Sequence, residues 1–435
     1  MPKHTPLPAD GVDASALRPD VIERIRAGHQ ALLDEIKPTR AQLRRGLELH
    51  YDSYVGDVQG SIQTSYTFGI VSDRLRADLD RAREALAEKM EGAELARAVF
   101  AEHFSRKTFE SVFDEQWVRE SRALYEVAGV QLATSDAAGP EQNSFRDALH
   151  RLARIRFVYD HRDDVLCVTG AEDLERGRRE GKPCVILHLA GVGCFAESEE
   201  PIRDLDLFYA LGIRMSQLTY IQRNRLCCSW LQEEDTGLTD MGRQVVARMN
   251  ELGVMVDLAH CGERSAAETI ATSAEPVMLS HTACRSVYDD STNPGYLDAV
   301  LAQNYARGVA RPAKVNPRNA SDEIIREVGR TGGLVAIYAI DYVLGTGPDA
   351  FETFYTHLAH AIEVAGADNV AIGTDRSFFP TWKPSPLDWT NWPLWTVGLV
   401  CRGHSDEEIR KIIGGNYLRY ATRVLDKRPW GRFLW

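Results

Sequence analysis

Residues 239–260 read TDMGRQVVARMNELGVMVDLAH, and the hydrophobic period changes halfway through. In the first half Val245, Val246, Met249 and Leu252 recur at helical spacing and share one face. Thr239 is placed to cap the first turn. Gly253 is placed to end the helix, because glycine enters the left-handed region without a Cβ clash. The second half, VMVDLAH, is a short apolar run without that spacing and reads as a buried strand. The theme recurs on both sides. CVILHLA (184–190) precedes a helical pattern near 199–211, and GIRMSQLTY (212–220) follows it. EPVMLSH (275–281) follows a helical pattern at 264–273, and GGLVAIYAI (332–340) and NVAIGTD (369–375) extend the alternation.

Strands alternating with helices need crossover connections, and crossovers make neighbouring strands parallel. Near-continuous apolar strands fit a sheet covered on both faces. The pattern predicts an α/β fold, a (β/α)8 TIM-type barrel with an N-terminal helical extension. A doubly wound open sheet is the alternative, but the chain has no G-x-G-x-x-G or G-x-x-x-x-G-K-[ST] loop to support it. Helical patterns also fill 20–45, 75–104 and 143–155. The expected organisation is a partly helical extension at 1–45, a barrel at 46–426 with an inserted loop at about 292–317, and a tail at 427–435.

The 435 residues, 44% of them hydrophobic, are enough for a large core. A net charge of −12 with no Lys/Arg cluster argues against a nucleic-acid partner. The eight cysteines form no C-x-x-C pair, which suits a reduced, cytoplasmic protein better than a disulfide framework. The N-terminal stretch MPKHTPLPADGVDASALRPD has no apolar signal core, and no apolar run reaches membrane-spanning length. The expected partner is therefore a small-molecule substrate, with neither nucleic acid nor membrane.

Polar residues close several of the apolar runs. LELHYDSY supplies His50 and Asp52, DLAHCGERS supplies His260, MLSHTACRS supplies His281 and AIGTDRSFF supplies Asp375. In a barrel the C-terminal strand ends build the active-site face. On a strand, His50 and Asp52 would point the same way. Imidazoles and carboxylates converging from separate strands suit a zinc-class ion. A lone histidine at a strand end is more often a structural hydrogen bonder. It is the ordered set that points to a metal.

Several segments resemble the membrane (renal) dipeptidase family of metallopeptidases, within the amidohydrolase superfamily. They are LGVMVDLAHCGERS, PVMLSHTACRSV, GLTDMGRQVVARMNELG, PRNASDEIIREVGRTGGLVAI and SDEEIRKIIGGNYLRYA. The resemblance runs from about 145 to 425 and is thinner from 46 to 144. It implies a (β/α)8 barrel, hydrolysis of dipeptides with two zinc ions, and often a homodimer. It further implies His50 and Asp52 as ligands of the first metal, and His260 and His281 as ligands of the second. Asp375 would contact the attacking water or the substrate amine, and Arg318 would clamp the substrate carboxylate.

The chain departs from that pattern in three places. The family's bridging glutamate belongs in an E-G-G turn, where this chain reads Leu189-Ala190-Gly191-Val192. Two divalent ions need an anionic bridge, so one zinc ion is expected rather than two. His188, two residues before Ala190, is then a replacement ligand, a substrate contact or a core histidine. In MSQLTYIQRN the family has a histidine that stabilises the tetrahedral intermediate. Here Tyr220 stands there, either as an oxyanion donor or as a rim residue. The insertion before Arg318 has the length of a lid, and it offers Arg307, Arg311 and Lys314 as rivals for the clamp. The stretch FFPTWKPSPLDWTNWPLW (378–395) either walls an apolar pocket or packs loops together. The expected function is a metal-dependent hydrolase of a small dipeptide-like or N-acyl amino acid amide. The alternatives are a barrel repurposed as a tailoring enzyme on a specialised metabolite, and a catalytically dead binding protein.

Overall fold

The computed structural model describes residues 16–61, 73–87, 112–138, 144–292, 316–345, 347, 349–377 and 385–427. The strands are β1 (Val55–Ser61), β2 (Val130–Ala138), β3 (Leu166–Cys167), β4 (Cys184–Leu189), β5 (Ile213–Gln217), β6 (Met255–Asp257), β7 (Met278–Thr282), β8 (Leu334–Ile337), β9 (Val370–Ile372) and β10 (Arg376–Ser377). All of their pairings are parallel, in the order β10-β1-β2-β4-β5-β6-β7-β8-β9, with β3 beside β4 outside this path. Strands β9 and β10 are two halves of one last strand. The first half pairs with β8 and the second with β1, so the sheet closes on itself. This is the expected (β/α)8 barrel.

Strand β4 shows why the core has two layers. All six of its residues are buried. Cys184 and Ile186 join an inner cluster with Met215, Met255, Met278, Leu334 and Ala371. Val185, Leu187 and Leu189 join the outer cluster beneath the helices. Side chains alternate across a strand, and both faces are covered, so the run is apolar throughout. The helix Asp240–Leu252 feeds β6 as its sequence suggests. The Thr239 side chain accepts from Gly242 N, and Gly253 ends the helix at φ 75°. A Cβ on Gly253 would come within 2.8 Å of the Val424 carbonyl oxygen, so glycine is needed there for space as well as for φ.

The N-terminal helix Pro19–Ile36 is knitted to the C-terminal half. His29 Nε2 donates to the Thr390 carbonyl at 3.1 Å, and the Glu35 carboxylate accepts from the amides of Ala350 and Phe351. Residues 293–315 of the expected insertion, including Arg307, Arg311 and Lys314, lie outside the described residues. No described helix is long and apolar enough to cross a membrane.

A buried carboxylate fastens the seam between the first and last strands. Asp57, on β1, accepts from Thr374 N at 2.9 Å, Thr374 Oγ1 at 2.7 Å, Trp389 Nε1 at 2.8 Å and Trp392 Nε1 at 3.3 Å. Burial pushes its pKa up to about 6, with those hydrogen bonds opposing the rise. Trp389, Trp392 and Trp395 are buried packing residues; Trp382 lies outside the described residues. Asp57→Ala strips the partner from two indole N–H groups and from Thr374. It is expected to cost about 3–5 kcal/mol of unfolding free energy, read by denaturant titration of tryptophan fluorescence. A cost below about 1 kcal/mol, the size of an ordinary surface change, would show that the seam is held by something else.

Candidate active site

The alternation that buries Ile186, Met255 and Met278 inside the barrel carries one step further along each strand. Two residues on stand His188, Asp257 and Ser280, and Asp136 is the register partner of His188 on β2. The top layer of the barrel interior is therefore polar, and its members are bonded to one another. His188 Nδ1 donates to Asp136 Oδ1 at 2.9 Å, and Gln59 Nε2 donates to the same oxygen at 3.3 Å. His188 Nε2 lies 3.6 Å from Asp257 Oδ2. Asp257 accepts from the amides of Ala259 and Ser280 and, at 2.5 Å, from the Ser280 hydroxyl. Ser280 Oγ in turn accepts from His281 Nδ1 at 2.8 Å.

This chain fixes the His281 tautomer and leaves an Nε2 lone pair facing His260 Nε2, 3.1 Å away. Arg318 Nη2 lies 3.2 Å from His260 Nε2. The Arg318 guanidinium also stands over the Tyr338 ring at 5.0 Å. The Arg318 and Asn319 amides donate to the Asp290 carboxylate, which holds the clamp segment in place. The Tyr220 ring packs on His260 with centroids 4.3 Å apart. Asp375 lies in the break between β9 and β10, and its amide donates to the Gln59 carbonyl across the seam at 2.8 Å.

Burial holds both His260 and His281 well below the usual imidazole range, and the Arg318 charge adds to the effect. Both rings are neutral at physiological pH. The Asp375 carboxyl is reached by solvent at the mouth, while protein crowds its other sides. That desolvation pushes its pKa up to about 7; Arg318 opposes the rise and Asp136 adds to it. For Asp136 itself, the His188 hydrogen bond and charge outweigh a large burial cost and leave its carboxyl below the ordinary range. His260 and Asp375 also share a backbone feature, with φ 69° and φ 52°. Left-handed conformations of non-glycine residues are costly and gather at working sites.

His260, His281, Arg318, His188, Tyr220 and Asp375 thus come together, and His50 and Asp52 do not join them. The reading of H-x-D as a strand end is corrected here. Thr39 and Gln42 form a capping box that starts the helix Arg40–Tyr51, and this helix runs through His50. His50 lies ahead of β1, at the opposite end of the barrel from the mouth. Its Nε2 donates to the Ala128 carbonyl at 2.8 Å and its Nδ1 accepts from Thr396 Oγ1 at 2.8 Å. Burial lowers its pKa to about 4. Asp52 is the exposed residue that ends the helix. His50→Ala is expected to cost about 3 kcal/mol of stability through a cavity and two stranded partners, while leaving kcat/KM of the folded protein unchanged. A kinetic loss larger than tenfold would return His50 to the site.

The strand that follows carries Asp57 and Gln59 at the spacing expected of the first metal's ligands, and neither is available to an ion. Asp57 is enclosed by indoles and Thr374, and Gln59 is a neutral amide bonded to Asp136. Ala190 offers no donor where the bridging glutamate is expected. His281 keeps the orientation that an outer carboxylate gives a ligating imidazole, and His260 Nε2 is the ring nitrogen that faces it, 3.1 Å away. Among the described residues no group of three His, Cys, Asp or Glu side chains is placed to hold a metal ion. A catalytic zinc takes three protein ligands. The residues present do not fit the two-metal centre.

Comparison with known proteins supports the fold. An amidohydrolase from Pseudomonas aeruginosa superposes with a TM-score of 0.62 at 20% identity, covering 87% of this chain and 99% of that one. A metallopeptidase from Rhodobacter sphaeroides, bound to a phosphinate mimic of the dipeptide L-Ala-D-Ala, superposes with a TM-score of 0.52 at 18% identity, covering 69% of this chain and 89% of that one. Among curated relatives, Dipeptidase tcpJ of Claviceps purpurea is 24% identical over 66% of this chain, and Dipeptidase ataJ of Aspergillus terreus is 27% identical over 64% of it. The matches span 64% and 66% of those relatives' own lengths, just under two thirds. Residues 85–303 and 305–428 match the family described as membrane dipeptidase (peptidase family M19), and the chain belongs to that family.

Proposed function

We propose that the chain hydrolyses a small dipeptide-like or N-acyl amino acid amide that carries a free carboxylate. The observation that carries this reading is the placement of Arg318. Its guanidinium, backed by Tyr338 and carried on a backbone segment that Asp290 anchors, stands beside two neutral imidazoles and near a carboxyl whose pKa is about 7. Arg318 binds the substrate carboxylate in a two-pronged fork. Asp375 accepts the proton of the attacking water and passes it to the leaving amine. The Tyr220 phenol donates to the oxygen that gains charge. The family is one of metallopeptidases, but in this chain the imidazoles His260 and His281 stand one ligand short of the three that a catalytic zinc takes, and no step above depends on an ion. Eight free thiols suit a cytoplasmic setting.

A second reading is favoured by the loss of donors at Ala190, Asp57 and Gln59. In it the barrel acts on a specialised metabolite by other chemistry. The test is a panel of dipeptides and N-acyl amino acids, each run beside its carboxamide counterpart. Turnover of the acids alone supports hydrolysis with an Arg318 clamp. Binding of the acids without turnover supports the second reading.

A further inference from the structure

We infer that this chain assembles its reactive centre without a metal ion, its buried charges being balanced by its own side chains. Three observations, independent of which substrate reaction is right, lead there. The first is the donor set: Ala190 carries no ligand atom, Gln59 presents an amide, and the Asp57 carboxylate is filled by two indoles and Thr374. An ion at the mouth would rest on two imidazoles, with no third ligating side chain placed beside them among the described residues.

The second is the polar layer beneath. A carboxylate that ligates an ion must turn toward it. Here Asp136 is bonded to His188 and Gln59, and Asp257 to two backbone amides and Ser280. His188, fully buried between Asp136 and Asp257, adds a neutral-capable ring one layer below Ala190, where the family's pattern has a carboxylate. The third is Arg318. Its guanidinium lies 3.2 Å from the His260 nitrogen that would bind the ion. A fixed positive charge there repels a second cation. Positive charge at the mouth is thus supplied by a side chain.

The experiment uses the full chain, expressed with added zinc, cobalt and manganese and purified without chelator. Metal per chain is measured by inductively coupled plasma mass spectrometry. Melting temperature is measured alone, with EDTA, and with zinc chloride. Because a bound structural or catalytic ion adds to folding stability, the expected result is fewer than about 0.1 ion per chain and melting shifts below about 1 °C. Half an ion or more per chain, or a fall of several degrees with EDTA, overturns the inference; any smaller content supports it. His260→Asn and His281→Gln serve as second variants, and a content that drops in both locates an ion at the imidazole pair and likewise overturns it. Metal content is read without substrate, so a failure of the hydrolysis reading and a failure of this one are told apart. An inactive, metal-free chain sinks the first alone, and an active, metal-loaded chain sinks the second alone.

Discussion

Replacing Arg318 by methionine is expected to lower kcat/KM on a carboxylate substrate by roughly two to three orders of magnitude, mostly through KM. Two charge-assisted hydrogen bonds to a partly buried carboxylate contribute about 3–4 kcal/mol, and each 1.4 kcal/mol is a factor of ten. Methionine keeps the apolar stem of the side chain and removes the guanidinium that stands over Tyr338, so the loss reports charge and hydrogen bonding. Lysine restores a point charge without the fork and should recover about one order of magnitude. The carboxamide analogue supplies the control, because a substrate without the carboxylate has nothing to lose when Arg318 goes. Equal losses on the acid and the amide would place the carboxylate clamp elsewhere. The same variant removes a positive charge that depresses His260 and His281, so both imidazole pKa values should rise.

Asp375→Asn is expected to reduce kcat by about 10²–10⁴, the usual contribution of a general base. The pH dependence tests the role more sharply than the rate does. A base must be ionised to accept a proton, and the Asp375 pKa is about 7. Wild-type activity should therefore climb as the pH rises through 7, and that limb should vanish in the asparagine variant. Its survival unchanged would assign the limb to another group. Stability should move the opposite way to activity. A carboxyl with a raised folded pKa binds its proton more tightly in the native state than in the unfolded chain. Native stability therefore falls as the pH rises from the unfolded value near 3.8 to about 7. The asparagine variant escapes that loss. Solvent at the mouth screens the effect, so the gain above pH 7 is expected to be about 1 kcal/mol, fading in acid. Melting curves at pH 5 and pH 8 measure it.

The barrel was readable because strands buried on both faces leave unbroken apolar runs, and β4, β6, β7 and β8 all have them. Strand β1 has none. VGDVQGS contains two glycines and three polar side chains, and its extended form comes from pairing with β2 and β10. The histidine and aspartate just ahead of it therefore attracted the reading that belonged to the strand. The corrective signal was present in Thr39-Arg40-Ala41-Gln42, a capping box that opens a helix and carries His50 along with it. His260 and His281 were legible because each closes an apolar run. Asp257 and Ser280 were not read as site residues, although each lies two positions beyond an inward-facing methionine, the step that brought out His188. Asp136 is harder to see, since QLATSDAA is rich in small residues and hides which face is buried. The seam clasp of Asp57 joins residues more than three hundred positions apart, a pairing that no local pattern encodes.

The backbone at His260 and Asp375 sets the terms on which this site can be dissected. Both residues hold a conformation that glycine enters freely and that asparagine, aspartate and histidine tolerate better than alanine does. An alanine scan there changes two things at once, removing a functional group and forcing a Cβ into a backbone it disfavours. Part of any deficit would belong to the main chain and be credited to the chemistry. Glycine is the reference residue at these two positions, and asparagine at 375 is the substitution whose kinetics can be taken at face value. The same constraint narrows what mutation can explore, since few side chains fit either turn of the chain, and those that do are mostly able to carry a proton or accept a hydrogen bond.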